Sequence, residues 1–396
     1  MTIDPATTLV LAYLNRAAAL HGLGYVSRAD VDAAMRLGCG LPAGPLEQLE
    51  HIGLDKAVAL LEAAGIEPAP LLRAWAERGH GVDADEHPAL GGSVGSGGSL
   101  GSGVSVGSGD DTVGAVRRVA VVGSGVMARG IAQVAAAGDL PTTLVARTPE
   151  RAASAADGIA DALARQVARG RMTGESRAAV LDRLACTTAM PEVAGADVVI
   201  EAVVEALPAK AGVFAELGEL CGAGTVLATT TSSLPVQVCA DASGRPADVV
   251  GMHFFNPAPA MKLVEVSRTP VTADRVVATA RDLAKRLGKV PVVCADRAGF
   301  IVNYLLFGYL NDAIGMADEG LVTHAELDAE IARRYGYPMG PFTLLDTIGL
   351  DVSLAILRRL EEVFAMPEFR VRKSLEDRVT AGHLGRKSGC GFHHWL

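Results

Sequence analysis

In residues 119–132, VAVVGSGVMARGIA, small residues stand where an apolar strand passes into a helix. Gly123, Gly125 and Ala128 form the pattern G-x-G-x-x-A, and each has its own reason to be small. Gly123 permits the tight turn out of the strand. Gly125 leaves room for the backbone to approach a phosphate, and Ala128 lets the helix pack closely on the strand. The freed N–H groups around Val126 and Met127, at the positive end of the helix, then face a pyrophosphate. The pattern implies dinucleotide binding. Four later segments carry polar groups where a plain core would not: TTTSSL at 229–234, GMHFFNP at 251–257, MKLVEV at 261–266 and GFIVN at 299–303. They supply a set suited to moving a proton. Imidazole takes and returns protons near neutral pH, so His253 is the candidate acid/base. Glu265, on a following strand, can accept the other ring N–H. Ser232 can hydrogen-bond a reacting oxygen, and Asn303 can fix geometry where two domains join. Such a set serves removal of a hydroxyl proton while a hydride leaves the same carbon.

The elements that must hold these residues alternate. Strands are expected at 119–122, 142–146, 197–202, 225–229, 248–254, 262–267 and 290–294. Helices fall at about 126–137, from the second strand to about 184, and at 209–220. This order predicts an α/β fold: a Rossmann-type, doubly wound parallel sheet. From about residue 299 the period is helical nearly to the end. The stretch 91–109, almost all Gly, Ser and small apolar residues, reads as a flexible linker. The domains expected are 1–85, all-α; 86–115, linker; 116–297, dinucleotide-binding; and 298–396, all-α.

The first domain repeats the last. Tyr13-Leu14-Asn15 matches Tyr309-Leu310-Asn311, and the offset of 296 holds without a gap through Gly40/Gly336, Pro42/Pro338, Gly44-Pro45/Gly340-Pro341 and Ile52-Gly53-Leu54-Asp55/Ile348-Gly349-Leu350-Asp351. One register over so many Gly and Pro positions marks a second copy of the helical domain. At the position matching Asn303 it carries Thr7, so a structural role is expected. Its face of Leu9, Tyr13, Leu49, Ile52 and Leu54 needs cover.

Composition excludes other classes. A net charge of −9 argues against a nucleic-acid surface. The six cysteines contain no C-x-x-C pair, so neither a metal site nor a disulfide framework is indicated, and a cytoplasmic setting is expected. No apolar run reaches the length of a membrane span.

From about Arg118 to Trp395 the HFFNP, MKLVEV and GFIVN motifs, with 385–392 (GRKSGCGF), resemble the 3-hydroxyacyl-CoA dehydrogenase family. The resemblance implies oxidation of a 3-hydroxyacyl thioester, short-chain and 3-hydroxybutyryl-CoA-like, with Ser232, His253, Glu265 and Asn303 at the positions of the family's catalytic residues. It implies cofactor contacts at Glu205, Lys210, Ser232, Asn256 and Lys387. Three positions depart from the family pattern. Ala146 stands where an acid usually binds the adenosine ribose, followed by Arg147, Thr148 and Arg151. Lost repulsion and added donors suit a 2′-phosphate, so NADP is favoured and NAD is the alternative. Thr230 replaces an asparagine, and Ala298 a proline. A carrier-bound or free hydroxy acid is the alternative substrate, and a crystallin-like cofactor binder the alternative class. The chain is expected to be a monomer with an intrachain pseudo-dimer, or a homodimer.

Overall fold

The structure, a computed structural model, describes residues 3–79 and 115–395. The stretch 91–109 lies outside the described residues. The chain divides into two units, one of 115–297 and one that combines 3–79 with 298–395.

The N-terminal helices are α1 (Pro5–Gly22), α2 (Arg28–Cys39), α3 (Pro45–Ile52), α4 (Leu54–Ala63) and α5 (Pro70–Arg78). The sheet unit follows as β1 (Val119–Val122), α6 (Val126–Ala137), β2 (Thr142–Val145), α7 (Pro149–Ala168), α8 (Gly174–Asp182), β3 (Leu184–Thr187), β4 (Val198–Glu201), α9 (Leu207–Leu220), β5 (Val226–Thr229), α10 (Val236–Ala242), β6 (Val249–Phe254), β7 (Leu263–Arg268), α11 (Asp274–Arg286) and β8 (Val290–Ala295). The chain then returns to helix as α12 (Val302–Asp318), α13 (His324–Tyr335), α14 (Pro341–Ile348), α15 (Leu350–Phe364) and α16 (Lys373–Thr380).

The eight strands form one sheet in the order β3-β2-β1-β4-β5-β6-β7-β8. β1, β4, β5 and β6 are buried along their whole length, as strands covered on both faces must be. Two features differ from the sequence reading. The sheet is not wholly parallel, because β7 runs antiparallel to β6. Only residues 255–262 separate them, and a parallel crossover needs about a dozen residues or more. The helical stretch after β2 also breaks. Gly170 turns the chain at φ 66°, Thr173 caps α8, and 184–187 forms an edge strand on β2. Its sequence, LACT, is short and only partly buried, so periodicity carried no signal for it.

In the helical unit, equivalent residues of the two copies do equivalent work. Ser27 and Thr323 cap α2 and α13. Asp32 accepts from Leu46 N at 2.8 Å, and Asp328 from Phe342 N at 2.9 Å. A Cβ on Gly44 or Gly340 would fall 2.2 Å from those aspartates, so both loops require glycine. The copies meet along α1 and α12. Leu9, Tyr13 and Leu49 are buried, whereas Ile52 and Leu54 stay half-buried. The C-terminal segment is pinned by Asp346, which accepts from Phe392 N, His393 N and Trp395 Nε1 at 2.8, 2.8 and 2.9 Å.

Burial pushes the Asp32 carboxyl up to about 6, against the opposing pull of the Leu46 N–H. An acid with a raised folded pKa holds its proton more tightly when folded. Its contribution is therefore full below the unfolded value and is lost as pH rises through about 6. Denaturation of Asp32→Asn and wild type at about pH 4 and pH 7 should show wild type losing about 1–3 kcal/mol relative to the variant over that interval.

Candidate active site

Antiparallel pairing of β6 and β7 sets His253 directly opposite Glu265. Such pairs share one face of the sheet, with Cβ atoms about 5 Å apart. The side chains close that distance, Glu265 Oε2 lying 2.6 Å from His253 Nδ1. Glu265 is fully buried and His253 nearly so. An ionised carboxylate can only accept, so a charged Glu265 would accept from the N–H at Nδ1 and leave the lone pair of Nε2 free to face the loop. Nε2 points to Ser232 Oγ at 3.1 Å, and Phe255 packs on the imidazole at 4.5 Å between ring centroids.

The loop that carries Ser232 is held by acids. Glu205 Oε1 accepts from Thr231 Oγ1 at 2.6 Å, Ser232 N at 2.9 Å and Ser233 N at 3.2 Å. Burial pushes the Glu205 carboxyl up, but Lys210 and these hydrogen bonds outweigh it and hold the carboxyl below its usual range. Lys210 Nζ lies 3.3 Å from Glu205 and donates to both oxygens of Glu201 at 2.9 and 3.0 Å. Glu201 also accepts from Thr229 Oγ1 at 2.8 Å and Val203 N at 2.7 Å. Sequence reasoning missed Glu201. Its signal was a carboxylate closing an apolar strand, four residues before Glu205.

The glycine turn opens a cleft of about 890 Å³. Gly123 adopts φ 133°, and a Cβ there would fall 2.4 Å from Ala202 O. A Cβ on Gly125 would meet nothing, so the backbone there is open to a ligand's close approach. Ala128 is fully buried beneath. Gly123, Gly125, Val126, Met127, Ala146, Arg147 and Arg151 line the cleft. Thr148 does not line it. Its Oγ1 accepts from Arg151 N at 3.4 Å as the cap of α7, which leaves the two arginines as the donors near β2. Lys210 is enclosed by Glu201 and Glu205 rather than lining the cleft, and Asn256 is exposed at the end of β6. In the helical unit, Asn303 is buried in the first turn of α12, and Lys387 is paired with Asp351 at 2.5 and 2.6 Å.

A glycine-turn cleft on a doubly wound sheet defines the class as a dinucleotide-binding protein. The NAD binding domain model of 3-hydroxyacyl-CoA dehydrogenase matches residues 118–297, and the C-terminal domain model matches 6–84 and 299–395. The chain belongs to the 3-hydroxyacyl-CoA dehydrogenase family. It is 38% identical to the probable 3-hydroxybutyryl-CoA dehydrogenase of Deinococcus radiodurans, over 69% of this chain and 99% of the relative. It is 39% identical to the mitochondrial hydroxyacyl-coenzyme A dehydrogenase of Rattus norvegicus, over 71% and 91%. The solved structure of (S)-3-hydroxybutyryl-CoA dehydrogenase from Ralstonia eutropha matches with a TM-score of 0.69 at 33% identity, covering 71% of this chain and all of that one. Among the described residues, no helix is long and apolar enough to cross a membrane.

Lys210 and Glu201 form a fully buried pair. Removing one partner strands the other charge. Lys210→Met should lower stability by about 3–5 kcal/mol, and Glu201→Gln in the same chain should recover a large part of that loss. Urea denaturation of the single and double variants measures both.

Proposed function

We propose that the chain catalyses reversible oxidation of a short-chain 3-hydroxyacyl-CoA, of the 3-hydroxybutyryl type, to the 3-oxoacyl thioester. The observation that carries this reading is the imidazole of His253 held between a buried carboxylate and a hydroxyl at the ligand-binding edge of the sheet. Relatives named as 3-hydroxybutyryl-CoA dehydrogenases agree with it. A nicotinamide bound in the cleft supplies the acceptor for the substrate's hydride. His253 Nε2 takes the hydroxyl proton, and Glu265 steadies the cation that forms on the ring. Ser232 hydrogen-bonds the reacting oxygen, and Glu205 holds the loop on which Ser232 sits. Asn303 is assigned a positioning role toward the substrate oxygen. Gly123, Gly125 and the N-terminus of α6 receive the pyrophosphate.

His253→Ala should lower turnover about 100-fold or more with cofactor affinity nearly unchanged. The assay is reduction of acetoacetyl-CoA. Near-wild-type turnover would remove His253 from the mechanism.

The cofactor is assigned as NADP. Ala146 puts no carboxylate at the end of β2, and Arg147 and Arg151 line the cleft there as cations for a 2′-phosphate. Parallel assays with NADPH and NADH should favour NADPH. The pair of substitutions Ala146→Asp and Arg147→Gln should shift preference toward NADH. Better wild-type turnover with NADH refutes this assignment.

The N-terminal copy is assigned a structural role, as an internal partner that leaves the chain a monomer. Thr7, at the position of the candidate Asn303, offers no side-chain amide. Its Oγ1 accepts from Arg334 Nη2 at 2.9 Å and Tyr335 OH at 3.1 Å, which commits it to the contact between the copies.

A further inference from the structure

We infer that the two helical copies carry unlike residues at equivalent positions as a pairing code, so that the face of 298–395 accepts the N-terminal copy and rejects a second copy of itself. The inference rests on the reading of that copy as an internal partner, and is independent of the reaction assigned to the sheet unit.

Reciprocal contacts establish the symmetry. A Cβ on Gly40 would lie 3.6 Å from Pro338, and a Cβ on Gly336 would lie 3.8 Å from Pro42. Both glycines and both prolines are related by the offset of 296. Tyr13 and Tyr309, also equivalent, meet edge to face at 5.8 Å between centroids. The copies are therefore related by a local two-fold axis, like subunits of an isologous dimer. On such an axis a residue meets its own equivalent.

Arg16 and Asp312 are equivalents, 296 residues apart, and they meet there with Arg16 Nη2 donating to Asp312 Oδ2 at 2.8 Å. Their side chains are only 10% and 18% exposed. Burial pushes the Asp312 carboxyl up even with Arg16 beside it, Glu368 adds to the rise, and Arg372 gives a weaker attraction. Two copies of the 298–395 face would set Asp312 against Asp312. Two N-terminal copies would set Arg16 against Arg16. Either sets buried like charges against each other, with only the weaker attraction of Arg372 left beside Asp312, a repulsive element of the kind that makes pairing specific.

Shape follows charge. Gly308 lies beneath the Arg16 guanidinium, where a Cβ would come within 2.8 Å of Cζ. Its equivalent is Ala12, which has that Cβ. Self-paired N-terminal copies would press Arg16 onto Ala12, and self-paired C-terminal copies would leave the space over Gly308 unfilled. Polarity follows as well. The Tyr337 hydroxyl donates to Gln48 Oε1 at 3.0 Å. The equivalent of Gln48 is Leu344, so self-pairing would turn that hydroxyl toward a leucine with no acceptor.

The test uses the full chain with a protease site inserted in 91–109. Light scattering on the uncut chain addresses only the earlier reading, distinguishing one chain from two. After cutting, the wild-type pieces should co-elute one to one. Arg16→Asp should weaken their association about 100-fold or more, and the large piece should then elute as a single copy. Arg16→Asp with Asp312→Arg should restore co-elution, with circular dichroism reporting folding throughout. The code is overturned if the Arg16→Asp pieces remain paired as tightly as wild type. It is equally overturned if the freed large piece pairs with itself or the double exchange fails to restore association.

Discussion

The register of β6 against β7 is the constraint on which the rest of the site depends. Side chains alternate between the faces of a strand, so a slip of one residue would carry Glu265 to the face opposite His253 and leave a buried carboxylate without its imidazole. Local packing holds the register. Gly251 lies opposite Ser267, and a Cβ on that glycine would fall 2.0 Å from the serine hydroxyl, so no larger residue can occupy the pair. Apolar neighbours on both strands are fully buried and resist sliding.

The same edge of the sheet carries a second acid system. Glu201 ends β4 beside the glycine turn, Lys210 on α9 reaches back to it, and Glu205 extends the charge to the Ser232 loop. A buried ion pair contributes little net stability, and its better-attested use is to specify one arrangement. Here it ties three segments from different parts of the chain: the end of β4, the start of α9 and the loop after β5. The imidazole is thereby fixed from below by sheet register, and its hydroxyl neighbour from the side by hydrogen-bonded charge.

Much of this was legible in the sequence because it depends on local grammar. The glycine turn, seven of the eight strands and the repeat offset are all patterns of residue type at short or constant spacing. The pairing of His253 with Glu265 was legible as chemistry, two complementary groups on adjacent strands. The direction of β7 was also available, since eight connecting residues cannot house a crossover. What escaped was non-local or weakly patterned. β3 is four mixed residues at an edge. Glu201 looks like an ordinary strand end until Lys210 folds over it. Thr148 offered a hydroxyl to the cleft by position alone, while in three dimensions the cap of α7 uses it. The contact of His393 with Asp328 at 2.9 Å is likewise non-local, made because Asp346 draws the C-terminal segment inward.

The helical unit is assembled from the two ends of the chain, with the whole sheet unit intervening. Arg16 leaves the ribosome 296 residues ahead of the aspartate that neutralises it. At about 5–20 residues per second, that interval is roughly 15–60 s. The N-terminal helices therefore pass through synthesis with the Tyr13 side of α1 uncovered and a guanidinium awaiting its partner, while the sheet unit is completed behind them. For this molecule, the order of translation runs against the order of packing: helices made before the sheet unit find their final neighbours only after it.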